Sequence, residues 1–177
     1  MTDRETILDG TDIDRCLSRM THEILEVHKG TEGLALIGIH TRGVHLARRI
    51  QMRIKEIEGQ TVPTGEIDIT LYRDDWTRIS HQPVVQATRI PFSVDGVHVV
   101  LVDDVLYTGR TTRAAMDALM DFGRPDRIEL AVLIDRGHRE LPIEANYVGK
   151  SVVTRRAETI NVLLKEQDKV DRVEIST

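Results

Sequence analysis

Cysteine occurs once among the 177 residues, as Cys16, which excludes an internal disulfide framework and any cysteine-rich zinc site. No apolar run approaches the roughly 20 residues that a bilayer-spanning helix needs. The first ten residues, MTDRETILDG, are polar and lack the hydrophobic stretch of a secretory leader, so a cytoplasmic chain is expected. Positive charge is not in excess. The formal net charge is −5, which rules out attraction to nucleic acid by bulk charge. A local basic face stays open on that count, because association follows the local field. Internal repeats, linkers and low-complexity segments are also missing. The length and ordinary composition fit one domain, residues 1–177, with its own core.

What is present is an alternation of short apolar runs with helix-periodic stretches. Ile13, Cys16, Leu17, Met20, Ile24 and Val27 predict the apolar face of a first helix over residues 12–29, with Thr11 as N-cap and Gly30 as stop. LALIGI (34–39), VHVVLV (97–102) and IELAVLI (128–134) are continuous runs of the kind expected for strands buried on both faces. Helices are expected over 44–57 and 111–122, the second closed by Gly123 and Pro125. GEIDITLYRDD (65–75) starts as an alternating strand with Ile67, Ile69 and Leu71 on one side. Residues 74–91, with Trp76 and two prolines, read as a mobile arm or hairpin. NYVG, INVLL and RVEI are strand-like pieces near the end, with no strong helix among them. Strand and helix in alternation imply an α/β fold with a mostly parallel sheet flanked by helices. Such sheets bind ligands at the carboxyl ends of their strands. HTRG, DDVLYTGRT and DRGHRELP each follow a buried strand and should therefore share one edge.

VVLVDDVLYTGRTT (99–112) runs from four apolar residues into two adjacent aspartates and a hydroxyl-rich turn. Gly109, the hydroxyls of Thr108, Thr111 and Thr112, and a helix start together make an anion cradle that suits a phosphate. The lysine and spacing of a nucleotide P-loop are absent, as is the G-x-G-x-x-G of a dinucleotide site. Asp103 and Asp104 could accept hydrogen bonds from vicinal sugar hydroxyls and favour a developing positive charge. Phosphate behind and diol in front describe a ribose 5-phosphate. The plainer alternative is that both aspartates only cap the loop. His22, His28, His40, His45, His81, His98 and His138 form no recognised ligand motif, and no metal site built from protein residues alone is expected.

VVLVDDVLYTGRT resembles the phosphoribosyl-pyrophosphate motif of type I phosphoribosyltransferases. With GEIDITLYRDD, HTRG and DRGHRELP, the chain resembles the bifunctional pyrimidine-operon regulatory protein and uracil phosphoribosyltransferase family over nearly its whole length. The resemblance implies the type I phosphoribosyltransferase fold with a flexible arm over the site. It implies that Asp103, Asp104, Val105, Leu106, Tyr107, Thr108, Gly109, Arg110 and Thr111 bind the ribose and 5-phosphate. Thr41, Arg42 and Gly43 match the loop that holds the pyrophosphate. Tyr72, Arg73, Asp74 and Asp75 match the root of the arm. Arg136, Gly137 and His138 match the segment near the pyrimidine, with Ile160 packing on the base.

The reaction so implied joins uracil to phosphoribosyl pyrophosphate, giving UMP and pyrophosphate. Asp103 and Asp104 would hold the diol near a cationic ring, and Arg42 and Arg73 would stabilise the leaving group. Mg2+ would be held mainly by substrate oxygens and water. The family also binds the leader of pyrimidine messenger RNA, with UMP as the signal, commonly to terminate transcription. Ser18, Arg19 and His22 match its RNA-contacting helix face, together with Arg139 and Lys150. Serine stands at 18 where threonine is usual, Val27 replaces an arginine of some members, and Glu23 and Glu26 weaken the field. A homodimer is implied as well. A uracil or purine salvage enzyme without RNA binding remains the alternative.

Overall fold

Two sheets organise the chain in the computed structural model, which describes residues 4–74 and 87–177. The larger has five strands in the order β3 (Thr64–Ile67), β2 (Leu34–Ile39), β4 (His98–Leu106), β5 (Arg127–Asp135), β6 (Tyr147–Ser151). Every pairing within it is parallel. All six residues of β2 are buried, as a run without alternation requires when helices cover both faces. The smaller sheet, β1 (Arg4–Leu8), β8 (Arg172–Ser176) and β7 (Thr159–Leu163), is antiparallel and joins the two ends of the chain.

Helix α1 (Gly10–His28) and helix α2 (Arg42–Glu58) pack on one face of the large sheet, where Ile13, Leu17, Met20, Leu46, Ile50 and Ile54 meet Leu36, Val100 and Leu133. Helix α3 (Arg110–Met120) covers the other face, its Ala114, Ala115 and Ala118 lying against Ile37, Leu101 and Val132. Its small alanines allow close approach to the sheet.

Several expectations are corrected. The N-cap of α1 is Asp9, not Thr11. Asp9 accepts from the Asp12 N–H at 2.8 Å, and Asp12 returns the bond to the Asp9 N–H at 3.2 Å, a reciprocal cap. Val27 faces solvent, 53% exposed, because the apolar stripe has rotated off by the last turn. Leu71 is exposed too, because β3 stops at Ile67 and residues Thr70–Tyr72 form a 3₁₀ turn that breaks the alternation. Strand β4 continues to Leu106, so the aspartate pair lies within the strand rather than after it. The sequence also hid β1 and the short helix α4 (Lys165–Asp168). Of the proposed arm, Asp75, Trp76 and the rest of residues 75–86 lie outside the described residues. On its far side Arg89 exchanges two backbone bonds with Glu66 of β3.

Candidate active site

From β2 the chain passes outward to β3 and then returns to β4 on the other side. The carboxyl ends of β2 and β4 therefore flank the crevice where an open parallel sheet binds ligands. Thr41 and Gly43 stand at one lip, where β2 turns into α2. A Cβ at Gly43 would lie 2.3 Å from the Val102 carbonyl oxygen, so only glycine lets this turn rest against β4 one residue before the acidic pair.

Asp103 is buried, and its Oδ1 accepts the Asp104 N–H at 2.9 Å. Asp104 Oδ1 in turn accepts the Val105 N–H at 2.8 Å. Burial first, and then the neighbouring Asp104 carboxylate, push the Asp103 carboxyl well above the usual carboxylate range. The pair is thus poised where added positive charge would be stabilised.

Beyond it lies a cavity of about 370 Å3 lined by Arg73, Asp74 and residues 105–112. Gly109 caps α3 with φ of 93°, a left-handed conformation that turns the chain into the helix. Val105, Leu106, Tyr107, Thr108, Gly109, Arg110 and Thr111 all border this cavity, as expected of a phosphate cradle, and Arg73 lies beside them. Arg110 bridges Asp74 at 2.5 Å and Glu140 at 3.2 Å, tying the arm root to the loop after β5. Leu106 is a core residue that also borders the cavity.

A second cavity, about 440 Å3, opens between the loop after β5 and the end of β6, lined by Asp135–Arg139 and Ser151–Thr154. Arg136 and His138 are both there. Arg136 is buried and donates to the carbonyls of Arg155 and Glu158 at 3.1 and 2.9 Å, while its guanidinium lies 3.9 Å from the centre of the Tyr107 ring. His138 Nε2 is 2.6 Å from the Thr154 carbonyl. Both side chains therefore shape the cavity rather than point free into it. Val153 lines the same cavity and is 100% exposed. Sequence reasoning missed it, since one valine in SVVTRR carries no periodic signal. Ile160 sits on β7, buried in the core, and does not line this cavity.

Arg42 is also placed otherwise than expected. Its guanidinium holds both oxygens of Asp168 on α4, at 3.0 and 3.1 Å, so the residue offered to a pyrophosphate is engaged across the fold. Among the residues matched to an RNA face, Ser18, Arg19 and His22 share α1. Arg19 donates to Glu23 at 2.8 Å and to the Val148 and Gly149 carbonyls at 3.1 and 2.5 Å. His22 Nδ1 is 2.7 Å from the Ser18 carbonyl, and Lys150 sits beside Gly149 on β6. Arg139 is elsewhere: it is bonded inward to Asp135, Tyr107 and Ile143.

A model of the phosphoribosyl transferase domain matches residues 3–167. A protein of Desulfosudis oleivorans named bifunctional protein PyrR is 59% identical over 178 residues, covering 100% of this chain and 98% of that one. The bifunctional protein PyrR of Thermus thermophilus is 60% identical, covering 96% and 93%. The chain belongs to the bifunctional PyrR family of phosphoribosyltransferases. Solved structures agree on the fold. A hypoxanthine phosphoribosyltransferase from Staphylococcus aureus superposes with a TM-score of 0.71 at 18% identity, covering 96% of this chain and 90% of that one. One from Trypanosoma cruzi gives 0.73 at 16%, covering 98% and 91%. The type I phosphoribosyltransferase fold is shared.

Proposed function

We propose that this chain transfers a phosphoribosyl group from phosphoribosyl pyrophosphate to uracil, giving UMP and pyrophosphate, and that it regulates pyrimidine genes by binding their leader messenger RNA with UMP as the signal. The observation that carries the catalytic half is the acidic pair of β4, buried Asp103 and half-buried Asp104, running into a hydroxyl-lined cavity at the start of α3. The names of the relatives support the regulatory half.

In the reaction, the bond from the anomeric carbon to the pyrophosphate oxygen breaks and a bond to a uracil ring nitrogen forms. That nitrogen releases its proton to solvent water, and the bonding pair leaves with pyrophosphate. Positive charge grows on the sugar, as in glycoside chemistry. The 5-phosphate sits on the backbone and hydroxyls of 107–112, which fixes the sugar over Asp103 and Asp104. Those carboxylates hold the diol and stabilise the growing charge in a desolvated setting. The base lies in the second cavity, beside Arg136, His138 and Val153. Thr41, Gly43 and Arg73 receive the leaving group, and Arg42 supports it from its Asp168 pairing.

Among the described residues no group of three or more His, Cys, Asp or Glu could by itself hold a metal. Two hard carboxylate oxygens beside a polyphosphate site do suit Mg2+ bound mostly through substrate and water, with Asp103 and Asp104 nearest. When bound, that cation neutralises pyrophosphate charge. No described helix is long and apolar enough to cross a membrane. A cytoplasmic homodimer accords with the family resemblance.

A second reading, a salvage enzyme that has lost RNA binding, draws on Arg19, whose donors are taken by Glu23 and by β6 carbonyls. One preparation decides between them when turnover on uracil, hypoxanthine and guanine is measured beside binding of leader RNA at fixed salt. The proposal expects turnover on uracil alone and RNA binding that tightens when UMP is added. Turnover on a purine, or RNA binding that is weak and unmoved by UMP, would overturn the corresponding half.

A further inference from the structure

Arg139 was expected on an RNA face, yet its side chain is only 23% exposed and each of its three nitrogens donates a hydrogen bond within the chain. Nη2 donates to Asp135 Oδ2 at 2.6 Å, Nη1 to the Tyr107 carbonyl at 2.8 Å, and Nε to the Ile143 carbonyl at 2.9 Å. Three segments meet at one guanidinium: the end of β5, the phosphate cradle, and the far side of the loop after β5. The backbone repeats the connection, since the N–H groups of Glu140 and Leu141 both donate to the Thr108 carbonyl, at 2.9 and 3.2 Å. Asp135 completes the arrangement, its other oxygen accepting the Gly137 N–H at 2.9 Å.

A guanidinium has five N–H donors in a fixed planar fork, and three acceptors placed around it engage all three of its nitrogens. Tyr107 borders the sugar-phosphate cavity, while Arg136 and His138, the neighbours of Gly137, border the base cavity. Arg139 therefore spans the two halves of a nucleotide site. We propose that Arg139 is a positioning residue that sets the spacing between the phosphate cradle and the base cavity, and that it acts on nucleotide binding rather than on RNA directly. The proposal rests on reading this site as one for a pyrimidine nucleotide.

The test uses the full chain, free of RNA, in wild-type, R139Q and R139K forms. UMP affinity is measured by calorimetry, KM and kcat for phosphoribosyl pyrophosphate by turnover, and exchange of the Glu140 and Leu141 amides by mass spectrometry. Loss of charge-assisted bonds to the fork should weaken UMP binding about tenfold in both variants. KM should rise more than kcat falls, and both amides should exchange faster, with cooperative melting retained. Lysine keeps the charge but cannot serve three acceptors in a plane, so R139K should resemble R139Q. An RNA contact predicts the opposite pattern, with UMP affinity unchanged and RNA affinity restored by lysine, and that result overturns the proposal. Variants that do not fold also overturn it, since they would make Arg139 a brace of the core. Wild-type protein that binds no UMP overturns the reading of the site, and the positioning role falls with it. Wild-type binding matched by both variants overturns the positioning role alone.

Discussion

Asp103 has a cost that the free protein bears and the bound complex uses. Its carboxyl is buried beside a second carboxylate, and its affinity for a proton is raised by burial first and by Asp104 second. A group whose folded pKa lies above its unfolded value contributes stability at low pH that is lost as pH rises through the folded value. The window therefore opens at the ordinary aspartate range, about pH 4, and extends upward. Asp103→Asn removes this loss and keeps an oxygen to accept the Asp104 N–H. The variant should melt a few degrees above wild type at neutral pH, with the gap closing towards about pH 3, while turnover falls sharply. Scanning calorimetry across that range is the check. A wild-type protein that melts higher at neutral pH would mean that the carboxylate is already compensated and its role needs another account.

At the scale of elements, the strands of the large sheet were legible because burial on both faces leaves an unbroken apolar run: LALIGI became β2 without a change of boundary. The small sheet was not, because β1 is five residues of mixed polarity whose partner, β8, lies at the other end of the chain. Long-range pairing of short strands leaves no local pattern. The same distinction divides the site. That residues 105–112 would line one cavity was legible since strand end, loop and helix start are contiguous, whereas the bond from Arg139 to Tyr107 and the pairing of Arg42 with Asp168 join segments far apart. Helix α4 is held by such pairs. Arg49 on α2 donates to Glu166 at 2.6 and 2.8 Å and to Asp171 at 2.7 and 3.2 Å. The Arg49 bond holds the Glu166 carboxyl below the usual range, so its stabilisation is present above the unfolded pKa and fades as pH falls through the folded one. Arg49→Met should destabilise the protein by about 2 kcal/mol at neutral pH, through the carboxylates left unpaired. Urea titrations should show the difference from wild type shrinking below about pH 4. A difference that persists unchanged in acid would assign the loss to packing of the arginine stem instead.

Over the whole molecule, one strand serves two surfaces. The carbonyls of Val148 and Gly149 on β6 hold Arg19 of α1, next to Lys150, while Ser151 at its end borders the cavity assigned to the base. The face proposed for RNA and the site proposed for UMP are thus separated by two or three residues of the same backbone, on a chain whose formal net charge of −5 gives no general pull on RNA. Regulation on such a frame has a thermodynamic signature. If UMP tightens RNA binding by some factor, RNA must tighten UMP binding by the same factor. A coupling of about tenfold is ordinary for linked sites. Calorimetric titration of UMP into protein alone, and into protein saturated with leader RNA, should return the factor found when RNA is titrated with and without UMP. Equal factors above one would place both ligands on one folded species and make the catalytic site the sensor. A UMP affinity indifferent to RNA, beside RNA binding that still tightens with UMP, would break that cycle and point to a change of oligomeric state during one of the titrations. Indifference in both directions would leave Arg19 as the fastening between α1 and β6, and the chain as an enzyme alone.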